Sequence, residues 1–388
     1  MWHSFKYRAK LSKETEANCN QWIEQCRILY NLALEQRISV YDQSKKSVSY
    51  FSQSGELPEL RKAFPEFKQV DAQCLSDVLD RLDKATQLFF RRVKSGRGEA
   101  GYPRFKSRGR YSSFTLLQNS WKLRGRYLYL RNIGRLKLYL SRPIEGRIKT
   151  IDVKRTSTGK WFVSFSCDDV EPRQFPATDK SVGIDVGIKS FAVDSDGIIT
   201  PNPLFLKQSL KQLRVRNRSL SRKVKGSNRR KTTKLQVAKL HEKVVNQRKD
   251  FLHKTANYYI NNYKYIAVED LNVAGMIRNP GFSRSISDSS WGLFFQLLSD
   301  KAAEADRILV KVNPYNTSQL CSNCGRLVPK LLSERTHSCP HCGLVLDRDE
   351  NAARNIKQQM LGQSMQTSTS TLEAVCGSQQ LRMSTVEY

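Results

Sequence analysis

Cys339-Pro-His-Cys-Gly-Leu-Val-Leu-Asp-Arg-Asp-Glu-Asn-Ala-Ala-Arg354 sets two kinds of chemistry side by side. Its first four residues form the second of two Cys-x-x-Cys pairs; Cys321 and Cys324 form the first. Two residues between paired cysteines let both thiolates reach one ion from a tight knuckle, and two knuckles complete a tetrahedron. Fourteen residues separate the pairs, enough for a short hairpin, and each knuckle is followed by glycine, Gly325 or Gly343. Glycine suits a backbone turning under an ion. The four cysteines therefore predict one closed structural zinc site. His337 and His341 are near enough in sequence to replace a thiolate but read as loop bystanders. From Asp347 the segment turns acidic and opens a helix, one corner of a carboxylate cluster.

Upstream, Val182-Gly-Ile-Asp-Val-Gly187 reads as an apolar strand with an acid in its middle, and Phe191-Ala-Val193 pairs back as a hairpin. About fifty helical residues precede a second apolar strand, Tyr265-Ile-Ala-Val-Glu269. A helix from about 290 to 306 and a strand Ile308-Leu-Val-Lys-Val312 lead into the cysteine insert. Strands alternating with helices predict an α/β domain. The stretch after Gly362 is rich in Ser, Thr and Gln without periodicity and reads as disordered.

The first half differs. A short strand over Ser4 to Ala9 precedes helices running to about Ser95. Trp22, Cys26, Leu29 and Ala33 recur at helical spacing, as do Leu75, Val78, Leu82, Ala85 and Phe89, and Asp71 is a candidate N-cap. From about Tyr111 to Val170 the period becomes two, through Tyr127-Leu-Tyr-Leu130, then Leu136, Leu138 and Leu140, then Trp161, Val163 and Phe165. A small barrel or sandwich is expected. Gly96-Arg-Gly-Glu-Ala-Gly101 matches a dinucleotide-binding pattern but follows a helix rather than a strand, so it reads as a linker. With no phosphate-binding Gly-Lys-Ser/Thr loop either, no nucleotide cofactor is expected.

Formal charge is +30, from 66 Lys and Arg against 36 Asp and Glu, which favours a polyanionic partner. Between Lys207 and Lys249 there are sixteen Lys and Arg and one acid, Glu242. No apolar run reaches the ~20 residues of a membrane span, so no membrane partner is expected. The remaining cysteines have no framework spacing, pointing to a reducing, cytoplasmic setting.

Asp185 on its strand faces a large desolvation cost unless it meets a cation or a donor. Gly183 and Gly187 flank it and allow another backbone or a ligand close. Glu269 ends an apolar strand in the same way, and Asp349 opens a helix, where it could also serve as an N-cap. Three acids at the mouth of one sheet are what two divalent ions about 4 Å apart need to hydrolyse a phosphodiester. Magnesium suits oxygen ligands of this kind.

Gly183-Ile-Asp-Val-Gly187, Val268-Glu-Asp-Leu-Asn272, Ser290-Trp291, Thr317-Ser-Gln-Leu-Cys-Ser-Asn-Cys-Gly325 and Asp347-Arg-Asp-Glu-Asn-Ala-Ala-Arg-Asn355 together resemble the TnpB family of insertion-sequence proteins, relatives of the type V CRISPR effectors. Tyr30-Asn31 and Gly101-Tyr-Pro-Arg-Phe-Lys106 extend the likeness to the first half. The resemblance implies a multidomain α+β chain with an RNase H-like, RuvC-type nuclease domain carrying an inserted zinc ribbon. A small β-barrel, interrupted by a helical domain, precedes it.

Its implied divisions are residues 1–10 as first strand of a wedge-like barrel, 11–106 as a helical recognition domain, and 107–179 as the barrel. The nuclease domain takes 180–315, with a basic helical insert over 204–257, and resumes over 347–361. A zinc-ribbon insert that binds the target nucleic acid takes 316–346, and a disordered tail 362–388. Asp185, Glu269 and Asp349 are implied as the catalytic, magnesium-binding acids; Asp347 competes for the third role. A guide RNA from the transposon end is implied, with double-stranded target DNA bearing a short adjacent motif. Arg222, Lys223, Arg229, Arg230, Lys231, Lys234, Tyr102 and Arg104 are the candidate nucleic-acid contacts. Two other readings use the same residues: a transposase that joins strands itself, and a nuclease-dead RNA-guided DNA-binding regulator.

Overall fold

Strand β1 (His3–Leu11) runs into Ser12, whose hydroxyl accepts the Thr15 N–H and caps the 32-residue helix α1 (Lys13–Ser44). In the computed structural model of the chain, residues 2–96, 100–117, 119–331 and 333–367 are described. They fall into two units that divide between Glu171 and Pro172.

In the first unit, α2 (Tyr50–Ala63) and α3 (Ala72–Ser95) follow α1. Asp71 accepts the Gln73 N–H at the start of α3, as expected of an N-cap, and Gly96 ends that helix with a φ of 62°. The dinucleotide-like motif thus begins on a helix stop, and its residues 97–99 lie outside the described residues. Six strands come next: β2 (Ser113–Leu117), β3 (Trp121–Arg124), β4 (Tyr127–Leu130), β5 (Gly134–Tyr139), β6 (Arg147–Arg155) and β7 (Trp161–Asp168). With β1 they form a seven-stranded antiparallel sheet in the order β2-β6-β7-β1-β5-β4-β3. The first strand therefore lies mid-sheet, and α1 to α3 are an excursion between it and the rest.

Alternation places Leu128, Leu136, Leu138, Val163 and Phe165 on the buried face, where they meet Trp22, Leu34, Leu75 and Leu82 from the helices. Leu140, counted with that stripe, falls one residue past β5 and is exposed. Arg37 is buried among the helices and donates to Gln53, Asp83 and Thr86.

The second unit is built on β8 (Ser181–Val186), β9 (Ser190–Asp194), β10 (Ile199–Pro201), β11 (Tyr265–Glu269) and β12 (Ile308–Val312). Their order is β10-β9-β8-β11-β12, with β8, β11 and β12 parallel and β9 and β10 antiparallel. Helices α4 (Phe205–Ser221) and α5 (Asn228–Asn262) carry the basic run. Short α6 (Val273–Ile277) and α7 (Ser283–Ser289) precede α8 (Trp291–Glu304). A two-stranded hairpin, β13 (Thr336–Ser338) with β14 (Val345–Asp347), leads into α9 (Arg348–Thr367).

One sheet face, with Val182, Ile184, Ile266 and Val268, packs on α5 and α8 through Tyr259 and Phe294. On the other face, Ala267 and Val312 pack against Ile356 and Met360 of α9. That helix runs past Gly362, where the disordered tail was expected to begin. Loss of an apolar stripe does not end a helix when no proline interrupts it. Residues 368–388 lie outside the described residues. No helix among the described residues is long and apolar enough to cross a membrane.

Candidate active site and four-cysteine centre

Strand alternation decides where the acids point. Val182 and Ile184 face the α5–α8 side, so Gly183 and Asp185 face α9. In the parallel register Val268 pairs with Ile184, and one step further Glu269 comes level with Asp185 on the same face. Both acids thus stand at the carboxyl ends of adjacent parallel strands, the edge where open α/β sheets place their sites.

Helix α9 reaches them because Gly183 and its neighbour Ala267 are small. A Cβ on Gly183 would lie 2.1 Å from the Ala353 carbonyl oxygen and 2.5 Å from the Lys357 nitrogen. The backbone admitted by this glycine is therefore that of α9. Four residues back along the helix and two forward along the strand cover nearly the same length, each about 6 Å. With α9 running against β8, that step from Ala353 and Gly183 brings Asp349 beside Asp185.

The electrostatics agree. Burial, and then the carboxylates of Glu269 and Asp349, push the Asp185 carboxyl well above its ordinary range, with Arg348 opposing them. Burial also raises Glu269, against a hydrogen bond of 2.5 Å from the Thr317 hydroxyl. Asp349 is 14 % exposed, and one of its oxygens is 3.4 Å from Arg348 and 3.6 Å from Arg335. Asp347 is exposed and accepts the backbone N–H of Asp349 at 2.8 Å. It therefore takes the N-cap role that Asp349 could have filled, and leaves Asp349 turned to the other acids.

The four cysteines converge from two matching knuckles. The Gly325 N–H bonds the Cys321 carbonyl at 2.9 Å, and the Gly343 N–H bonds the Cys339 carbonyl at 3.0 Å. Both glycines take positive φ, 71° and 72°, which a side chain would strain. Cys321 and Cys342 sulfurs lie 3.6 Å apart, as do those of Cys324 and Cys339, and all four lie within 4.8 Å of one another. Thiolates on one zinc at about 2.3 Å would be spaced about 3.8 Å apart, so the set fits. The Leu344 N–H, Asn323 and neighbouring thiols lower Cys342 to about 6, while, against the Arg326 N–H, burial and the same thiols push Cys324 up to about 11, so the four titrate as one set.

Neither histidine joins this set: His337 is buried with Nδ1 against Lys330, and His341 contacts Arg326. Among the described residues no other His, Cys, Asp or Glu group gathers this tightly; the three carboxylates interact but are spread wider.

The candidate nucleic-acid residues divide. Arg222, just past α4, and Arg229, Lys231 and Lys234, in the first two turns of α5, are exposed on either side of the turn between those helices. Arg230 instead donates to the Leu220 and Lys223 carbonyls, and Lys223 reaches the Thr233 hydroxyl, so both hold that turn together. Arg104 is exposed, whereas Tyr102 packs edge-on against Phe89. Asn31 bonds both backbone groups of Lys106 at 2.8 and 3.0 Å, which docks the Gly101–Lys106 segment onto α1.

Some residues had no role in the sequence reading. Thr317 touches Glu269, and Asn351 and Asn355 bind the first cysteine knuckle. Their spacing of four on a helix was the available signal. Asp288, buried, accepts the Leu206 and Lys207 N–H groups and pairs with Arg248 at 2.8 Å, tying α4 and α5 to α7.

Three family profiles match the chain: "Probable transposase" over residues 164–280, "Cas12f1-like, TNB domain" over 291–356, and "Helix-turn-helix domain" over 1–46. In that last stretch the structure has β1 and one continuous helix rather than two helices about a turn. A Streptomyces pristinaespiralis protein named "Putative RNA-guided DNA endonuclease" is 34% identical, over 91% of this chain and 88% of its own. "Putative RNA-guided DNA endonuclease InsQ" of Escherichia coli (strain K12) is 29% identical, over 91% of each. The structure described as "Cryo-EM structure of the Cas12f1-sgRNA-target DNA complex" superposes with a TM-score of 0.58 at 17% identity, covering 89% of this chain and 83% of that one. That likeness is one of fold. Identity of this extent, across almost the whole of both chains, places the protein in the TnpB family.

Proposed function

We propose that this chain is an RNA-guided DNA endonuclease that cuts DNA paired to a guide RNA from the transposon end. The carrying observation is the carboxylate set: Asp185 and Glu269 on adjacent parallel strands, with Asp349 on the helix packed across them. The strand order, with β8, β11 and β12 parallel and β9 and β10 antiparallel, supports an RNase H-like, RuvC-type domain. Two relatives that carry the endonuclease name match it almost end to end.

Three acids facing two arginines form an oxygen-rich, anion-dense site that fits hard divalent cations, magnesium first among them. Two bound magnesium ions would supply an activated water and charge stabilisation at the leaving oxygen. The chain's part is geometric: the parallel register holds Asp185 and Glu269 level, and Gly183 lets α9 bring in Asp349. Because the acids repel a phosphodiester, nucleic acid must be gripped elsewhere. Arg222, Arg229, Lys231 and Lys234 in the α4–α5 region supply cations for phosphate contacts in the second unit, and Arg104 supplies one in the first; Arg230 and Lys223 shape the α4–α5 turn.

The same reading assigns one structural zinc to Cys321, Cys324, Cys339 and Cys342, in an insert over 316–346 that contacts the target. It takes the seven-stranded sheet as the wedge-like barrel that α1 to α3 interrupt, and the thiol chemistry suits a reducing cytoplasm. Base pairing supplies the sequence discrimination, and the protein reads a short adjacent motif.

The test is to sequence RNA that co-purifies when the protein is expressed with its own genomic flanks. One dominant species ending at the locus boundary is expected. A mixed background of cellular RNA contradicts the guided reading.

A further inference from the structure

We infer that Thr317 is a positioning residue for Glu269, fixed in turn by Asn351 and Asn355, so that the first cysteine knuckle and the carboxylates form one hydrogen-bonded assembly. The inference rests on the carboxylate reading above and adds what orients its second acid.

Glu269 is the last residue of β11, paired there with Val312, and strand pairing fixes its backbone but not its carboxylate; its Oε1 accepts the Thr317 hydroxyl at 2.5 Å. Thr317 is 3 % exposed and is itself held, because Asn355 Nδ2 donates to its carbonyl at 2.7 Å. The same amide group donates to the Leu320 carbonyl at 2.7 Å, and Asn351 Nδ2 reaches that carbonyl too, at 2.7 Å. Asn351 Oδ1 accepts the Ser322 N–H at 2.9 Å, and Gln358 donates to the Ser322 carbonyl at 2.7 Å. The polar backbone groups on either side of Cys321 are thus bonded to one face of α9.

Residues 351, 355 and 358 share that face by helical spacing, and Asn351 and Asn355 are both buried. Buried amides with their donors and acceptors matched in this way fix geometry, because shifting any member strands a polar group away from water. Helix α9 therefore does two jobs. Its first turn carries Asp349, and its next two turns hold the segment that aims Glu269. The four-cysteine knuckle closes the far end of that segment. The arrangement gives a cysteine centre with no catalytic position of its own a direct mechanical bearing on the acids.

The test uses the full-length protein bound to its guide RNA and compares Thr317→Val, which keeps the shape and loses the hydroxyl, with Thr317→Ser, which keeps it. Mn2+ binding is read by electron paramagnetic resonance in the absence of target DNA, and cleavage is then read against magnesium concentration. The expected result is that Thr317→Val weakens Mn2+ binding and slows cleavage at limiting magnesium about 10- to 100-fold, the range for groups that orient metal ligands. Zinc content stays at the wild-type value, which shows the knuckle intact, and Thr317→Ser restores both readouts. Unchanged Mn2+ affinity in Thr317→Val overturns the inference. So does equal impairment in the two variants, which would assign the effect to packing rather than to the hydrogen bond. A wild-type complex that binds Mn2+ and cuts nothing would instead defeat the nuclease reading, with the Mn2+ comparison still deciding the role of Thr317.

Discussion

A single methyl group at Gly183 should disable the site without touching an acid. In Gly183→Ala the new Cβ would lie 2.1 Å from the Ala353 oxygen and 2.5 Å from the Lys357 nitrogen. Both are backbone atoms, so no rotamer change relieves the contact. Restoring an ordinary separation of about 3.5 Å requires α9 to retreat by on the order of 1 Å. Overpacking of this kind costs about 1–3 kcal/mol. Glycine to alanine inside a strand otherwise gains about 0.5–1 kcal/mol, so the sign of the change reports the clash. The larger effect is on rate: α9 carries Asp349, and a displacement of about 1 Å can slow chemistry about 100-fold. Single-turnover cleavage by the guide-loaded protein, with denaturant melts alongside, reads both quantities. Gly292→Ala is the control, since nothing lies within 4 Å of that position. Full-rate cutting and unchanged stability in Gly183→Ala would refute the placement of α9 on β8.

Asp347→Ala should remove the cap of α9 and cost about 0.5–2 kcal/mol in melts while leaving cutting in place. Asp349→Asn should do the reverse, abolishing cutting with little change in stability. Asp185→Asn should stabilise the protein in magnesium-free buffer at pH 7.5, because the folded state raises the Asp185 carboxyl and so disfavours its charged form. That gain over wild type should be full above the raised folded value, shrink as pH falls, and vanish below the unfolded value of about 3.9, where both states are protonated. Elemental analysis should find about one zinc per chain, and Cys342→Ser should lower both zinc content and the melting temperature of the second unit. Replacing Arg229, Lys231 and Lys234 together should flatten the salt dependence of RNA binding, by about one unit of log–log slope for each lost phosphate contact.

How far residues could be read in advance depended on how local their signal was. Cys-x-x-Cys pairs and an acid set between apolar strand residues declare themselves within ten residues, so Asp185, Glu269 and the four cysteines stood out as candidates. Asp347 and Asp349 share one helix start, and only their hydrogen bonds separate the cap from the acid turned to Asp185. Strand β10 and helices α6 and α7, of three, five and seven residues, are too short for a period to show. Charge density drew attention to Arg230 without revealing that its guanidinium bonds carbonyls of its own turn. Thr317 and Glu269 are 48 residues apart, and a contact over that distance leaves no mark on either local pattern. Gly183 was legible as a point of close approach; that α9 is what approaches came from the sheet.

Whether Asp185 is a catalytic acid of a guided nuclease is decided by cleavage of a guide-matched DNA target with the purified complex, wild type against Asp185→Ala. Wild type should cut only with magnesium and a matching guide, and Asp185→Ala should not cut while still binding the guide RNA and the target. Cutting by Asp185→Ala at the wild-type rate, or wild-type cutting that ignores the guide, would contradict this reading.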